Sequence, residues 1–148
     1  MSISGPLYRV AAAATLLALF VTGCGQGDSI KRVKTTPVQG EVLFDGNPIP
    51  GALVVFHPAS PGNNGAPPAR ATVQDDGVFH LTTYDSGDGI PPGDYKVTVE
   101  WRPLVENGGE FKAGPNRLPE KYARPDTTDL VVNIAEGTTK LPPLQIRR

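Results

Sequence analysis

Few residues in this chain are of types that do chemistry. It holds two histidines, His57 and His80, and one cysteine, Cys24. A metal site needs three or four His, Cys, Asp or Glu ligands at workable spacing. His57 ends an apolar run and precedes Pro58, which marks the end of a strand. His80 alternates with Phe79 and Leu81 and should face outward. Neither a metal nor a cofactor is expected. Asp85-Ser86-Gly87-Asp88-Gly89 offers carboxylates to a hard cation. It lacks the long ligand series and closing bidentate glutamate of an EF-hand, and a turn rich in Asp and Gly accounts for it as well. Ser60 and Ser86 lie in Pro/Gly loops with no nucleophile-elbow pattern. No catalytic residue is assigned, and the chain is expected not to be an enzyme.

The cysteine has a more specific setting. Arg9 precedes an apolar run, Val10 to Val21, in which Thr15 is the single polar residue, and the run closes on Val21-Thr22-Gly23-Cys24. A basic start, an apolar stretch and a small-residue cleavage site make a secretory signal. The run is too short for a hydrocarbon core of about 30 Å, which takes roughly 20 residues of helix. An aliphatic residue at −3, small residues at −2 and −1 and then cysteine form a lipobox. Residues 1–23 are therefore expected to be a lipoprotein signal peptide, and Cys24 the lipidated mature N-terminus carrying diacylglyceryl and a further acyl chain such as palmitate. Two or more chains give stable anchoring where one does not. Gly25 at +2 is not the aspartate of inner-membrane retention, so a cell-envelope location is expected, at the outer membrane if the cell is diderm.

The rest of the chain must be what that anchor carries. Its formal net charge is −1, and no basic cluster points to nucleic acid. With its one thiol acylated, the domain has no disulfide and depends on its core. The 17 glycines and 16 prolines argue for short strands joined by turns. Residues 24–36 are polar, contain Lys31, Arg32 and Lys34, and read as a flexible lipidated tether. Beyond it, residues 37–148 show alternation with period 2. Tyr95, Val97, Val99 and Trp101 share one face of a strand, and Lys96, Thr98 and Glu100 the other. Val38 to Phe44, Ala52 to Phe56, Leu130 to Ile134 and Leu144 to Ile146 are further strands. Arg70–Gln74 and Val78–Thr83 form a hairpin across Asp75-Asp76-Gly77, with Val73, Phe79 and Leu81 inward. Seven strands with turns between them predict an all-β, antiparallel two-sheet sandwich.

Three blocks then resemble a known family. Gly40-Glu41-Val42-Leu43-Phe44-Asp45-Gly46-Asn47-Pro48-Ile49-Pro50-Gly51-Ala52-Leu53-Val54-Val55-Phe56 is similar to the opening of carboxypeptidase regulatory-like domains. Thr72 to Leu81 and Pro91 to Val99 resemble the family's second and third blocks, in the right order. The resemblance implies a seven-stranded Greek-key β-sandwich of the transthyretin-like (prealbumin-like) kind, serving adhesion, scaffold or accessory roles on a bacterial lipoprotein. Transthyretin-like hydrolases end in a Tyr-Arg-Gly-Ser-type tail, whereas this chain ends Leu144-Gln145-Ile146-Arg147-Arg148. A catalytic role is correspondingly disfavoured.

The expected function is a non-enzymatic, membrane-anchored binding, adhesion or structural module, with an envelope protein or polysaccharide as partner. A carbohydrate-binding accessory domain is the alternative, with Trp101, Tyr84 or Tyr122 as stacking platforms. Tyr84, Asp85 and Asp88 in one loop, and Leu118 and Tyr122 in the long stretch Arg102–Asp129, are the candidate binding residues. For Leu118 and Tyr122 one helical turn capping the sandwich is the competing expectation, because the two lie one turn apart.

Overall fold

Alternation becomes structure first at β1 (Gln39–Phe44), where Val42 is fully buried and Gly40 passes over a ring. A Cβ on Gly40 would lie 2.5 Å from Cζ of Phe79, so only glycine lets that ring sit against the strand. The computed structural model describes residues 32–60 and 65–148. Nine more strands follow: β2 (Asn47–Pro48), β3 (Leu53–Pro58), β4 (Ala69–Thr72), β5 (Val78–His80), β6 (Gly93–Glu100), β7 (Leu104–Asn107), β8 (Glu110–Ala113), β9 (Val131–Ile134) and β10 (Leu144–Ile146). The seven strands read from alternation are all among them, with ends displaced by up to three residues. The other three are β2, β7 and β8.

Two four-stranded sheets build the body. In one, β1 pairs with β10 along one edge and with β2 and β5 along the other. In the second, β4, β3, β6 and β9 lie side by side, all antiparallel. The β1–β10 pair is parallel, a departure from the expected antiparallel pattern. After β9 the chain crosses to the opposite sheet through residues 135–143, and so enters β10 running with β1 rather than against it.

The core is what alternation places between the sheets. Val54 and Phe56 of β3, Tyr95, Val97 and Val99 of β6, and Phe79 of β5 are each at most 1% exposed. The Phe56 ring lies 6.1 Å from both Phe79 and Tyr95, tilted toward the first and edge-on to the second. Such offset geometry is preferred over face-to-face stacking. It also joins the two sheets, since Phe79 belongs to one and Phe56 and Tyr95 to the other. The buried Tyr95 hydroxyl donates to the Pro91 carbonyl at 2.8 Å, so no polar atom is stranded there.

The expected β4–β5 hairpin is present only at its ends. Gln74 N–H donates to the Val78 carbonyl beside the turn, and Arg70 and Thr82 exchange backbone bonds farther out. Between these points the arms part into different sheets. Val73 pairs instead with Gly51 and Ala52, and β5 is taken by Gln39–Glu41 of β1. The hairpin thereby becomes a corner that links the layers.

At the other end, the domain takes in residues that composition assigns to the tether. Thr36 and Ile90 exchange both backbone bonds, at 3.1 and 3.0 Å. Gly89 makes this possible: with φ at +91°, a Cβ there would lie 1.8 Å from the Thr36 carbonyl oxygen.

Candidate functional site

The loop holding Tyr84, Asp85 and Asp88 is tied to itself. Asp88 accepts hydrogen bonds from the backbone N–H groups of Thr83 at 2.8 Å and Tyr84 at 3.0 Å, one on each carboxylate oxygen. Gly87 N–H donates to the Thr82 hydroxyl, and the Thr83 hydroxyl donates to the Gly89 carbonyl. Asp85 pairs with Arg32, whose guanidinium also lies 5.4 Å from the centre of the Tyr84 ring. The Tyr84 hydroxyl accepts from Val33 N–H at 3.1 Å. The acidic residues therefore hold this turn and the entering segment Arg32–Thr36.

Leu118 and Tyr122 take the place that one helical turn provides. Glu120–Ala123 is a 3-10 turn, and Leu118 and Tyr122 are 5% and 3% exposed within the core cluster. The Tyr122 hydroxyl sits 3.4 Å from both the N–H and the carbonyl of Arg147, just past β10. Thr128 continues the cover, its buried hydroxyl donating to the Val97 carbonyl at 2.7 Å just ahead of β9. The segment closes the sandwich between the β6 and β10 sides, and neither apolar side chain presents a face to a ligand. Outside the cap, Lys121 and Asp129 pair at 2.7 Å. That hydrogen bond raises the lysine's pKa and lowers the aspartate's. Both are exposed, so the pair adds little stability.

Of the aromatic platforms, Tyr122 is buried and the other two carry guanidinium groups. Trp101 leaves β6 at its end and is half-buried, with its indole N–H donating to the Pro50 carbonyl at 3.0 Å. Arg117 lies 5.7 Å from its ring centre. Each cation–π contact covers one face of its ring.

The histidines stand apart in role. His57 Nε2 lies 3.0 Å from the Thr98 hydroxyl on the outer face of the second sheet. Burial lowers its pKa below the usual 6.5. His80 is exposed and lines an open depression of about 530 Å³ with Gln39, Thr139 and Lys140. Among the described residues no three His, Cys, Asp or Glu side chains gather as a metal site would require. Val21, Thr22, Gly23 and Cys24 lie outside the described residues.

The region that sequence reading passed over is the first part of the Arg102–Asp129 stretch. β7 and β8 form a hairpin that touches no other named element. Leu104 pairs with Ala113 and Glu106 with Phe111, so these four share one face. Leu104 and Phe111 are each 69% exposed, the largest values among the exposed large hydrophobic side chains. The turn is Gly108-Gly109, with φ of +64° and +85°. Two successive positive φ values suit a type I′ turn, which glycine adopts without strain. A Gly-Gly pair flanked by apolar residues is a recognised hairpin signal, and it would have located this one. The charged residues among Leu104, Val105 and Phe111 obscure the alternation.

No family model matches the chain, and no curated protein matches it. Two solved structures are similar at low identity. One is a candidate carbohydrate-binding protein from Pseudomonas aeruginosa: 13% identity, TM-score 0.42, covering 81% of this chain and 92% of that one. The other is a 9R-lipoxygenase from Cyanothece: 12% identity, TM-score 0.40, covering 79% of this chain and 17% of that one. Neither likeness bears on the site.

Proposed function

We propose that this chain is a non-enzymatic lipoprotein of the bacterial cell envelope, anchored through Cys24, whose β-rich domain makes a protein–protein contact. The observation that carries the contact is the β7–β8 hairpin, which holds Leu104 and Phe111 out in solvent at 69% exposure each. Apolar side chains clustered on a projecting element mark an interaction site more often than chance exposure does. The lipobox Val21-Thr22-Gly23-Cys24 supports the anchor. The order of the three sequence blocks supports a Greek-key sandwich of the carboxypeptidase regulatory-like kind. Burial of Tyr122, and an arginine over one face of each of Tyr84 and Trp101, reduce the aromatic surface open to a carbohydrate.

Crosslinking in the native membrane tests the two parts separately. Cys24→Ser should move the protein out of the membrane fraction; retention there would remove the anchor from the proposal. Phe111→Ser should leave the anchor intact and erase the crosslinked species. Unchanged crosslinks would place the contact elsewhere on the domain.

A further inference from the structure

A hairpin with a two-residue turn closes on a hydrogen-bonded pair, here Asn107 and Glu110, and the next pair across is not hydrogen-bonded. Phe111 is in that next pair, so its N–H and C=O point away from β7. The outer edge of β8 is thus a short row of backbone groups centred on Phe111. Among the described residues no strand pairs with it.

The side chains along this edge are complementary to themselves. Glu110 precedes Phe111 and Lys112 follows it, and the two charged groups lie 3.0 Å apart on the face opposite Phe111. A two-fold axis through Phe111 would set a second β8 antiparallel to the first. Phe111 would then face Phe111 of the second copy and exchange both backbone bonds with it. Glu110 of each copy would face Lys112 of the other, and Ala113 would face Gly109. A contact in which the same patch serves both partners is what two-fold association requires. Opposite charges directly across an antiparallel pair favour it, and like charges oppose it. Leu104, Ala113 and Phe111 from the two copies would lie on one face of a four-stranded sheet, with Glu106 of each copy at the outer side of its Phe111.

We infer that the β8 edge is a self-association surface, joining two copies of this chain strand to strand through Glu110-Phe111-Lys112. This rests on reading the hairpin as a contact surface and names its partner. The edge is short, so the association is weak in solution. Confinement of both copies to one membrane would raise their effective concentration.

Charge reversal tests the pairing directly. Glu110→Lys sets lysine against lysine across the axis, and Lys112→Glu sets glutamate against glutamate. Each variant, as the full chain in detergent and shown to be folded by circular dichroism, should self-associate about tenfold more weakly than the parent by sedimentation equilibrium. An equal mixture of the two should recover the parent's association, because each then meets its opposite. A parent that stays monomeric to its solubility limit would overturn the inference. So would variants that associate as well as the parent, or a mixture that does not recover. If the parent is monomeric while Phe111→Ser still erases a crosslink to another envelope protein, self-association falls and the contact surface stands. If that crosslink also persists, both fall.

Discussion

β6 and the β7–β8 hairpin are separated by three residues and have opposite fates. Tyr95, Val97 and Val99 of β6 are at most 1% exposed, whereas Leu104 and Phe111 of the hairpin are 69% exposed. Both segments carry apolar residues among polar ones, and both pair antiparallel with a neighbour. The difference lies in the layers. β6 has β3 and β9 at its sides and the opposite sheet beneath it. The hairpin has only itself. Pairing satisfies the backbone, but a second layer is needed to take an apolar face out of water. An isolated two-stranded hairpin is marginally stable in water, and among the described residues no second sheet covers the face that carries Leu104 and Phe111.

That contrast can be broken by substitution, and the largest effect should come from the core. Val99→Asp places an unpaired carboxylate between the sheets. It should cost more than about 4 kcal/mol and leave no cooperative unfolding transition in circular dichroism. A folded Val99→Asp domain would mean that β6 is not held as described.

Next comes the cap. Tyr122→Ala removes a buried ring together with its bonds to Arg147, and should lower stability by about 3–5 kcal/mol in a urea titration. An unchanged midpoint would move Tyr122 to the hairpin's side of the comparison.

Phe111→Ser should then change stability by less than about 0.5 kcal/mol. A drop in melting temperature close to that of Tyr122→Ala would show that the hairpin packs on the body after all, and the contrast would fail.

The smallest effect concerns pH. Burial lowers the pKa of His57 in the folded protein below its ordinary 6.5. The unfolded chain therefore binds more protons as pH drops through 6.5 toward the folded value. Stability should be fully present above pH 6.5 and fall gently below it, and His57→Gln should flatten that slope in melting curves taken from about pH 8 to about pH 5.

Much of the body was legible because burial on one face writes a period-2 pattern into the sequence. Val38, Val42, Phe79 and Val97 declare themselves in this way, whereas Phe56 ends a run that is apolar on both faces. What was not legible depends on partners distant in the chain. The parting of β4 from β5 follows from competition by Ala52 and Gln39–Glu41 for the same backbone groups. The docking of Arg32–Thr36 depends on Gly89, more than fifty residues later, leaving room for a carbonyl. The acidic loop read as a turn rather than a cation site, but which backbone groups its carboxylates would hold was not legible; Asp88 takes the N–H groups of Thr83 and Tyr84. Leu118 and Tyr122 were open between capping and binding because one turn of helix serves either purpose. Their burial requires the approach of β10 from the end of the chain.

The parallel pairing of β10 with β1 bears on the order of events during folding. β1 and β10 are the first and last strands among the described residues, and Val42–Phe44 meet Leu144–Ile146 along one edge. Contacts so distant in sequence close slowly, because the loop entropy is paid before the contact is gained. A chain cut before Leu144 would leave that edge of β1 unpaired. The first sheet is therefore completed only when β10 reaches β1, and loss of β10 should act like loss of a core residue.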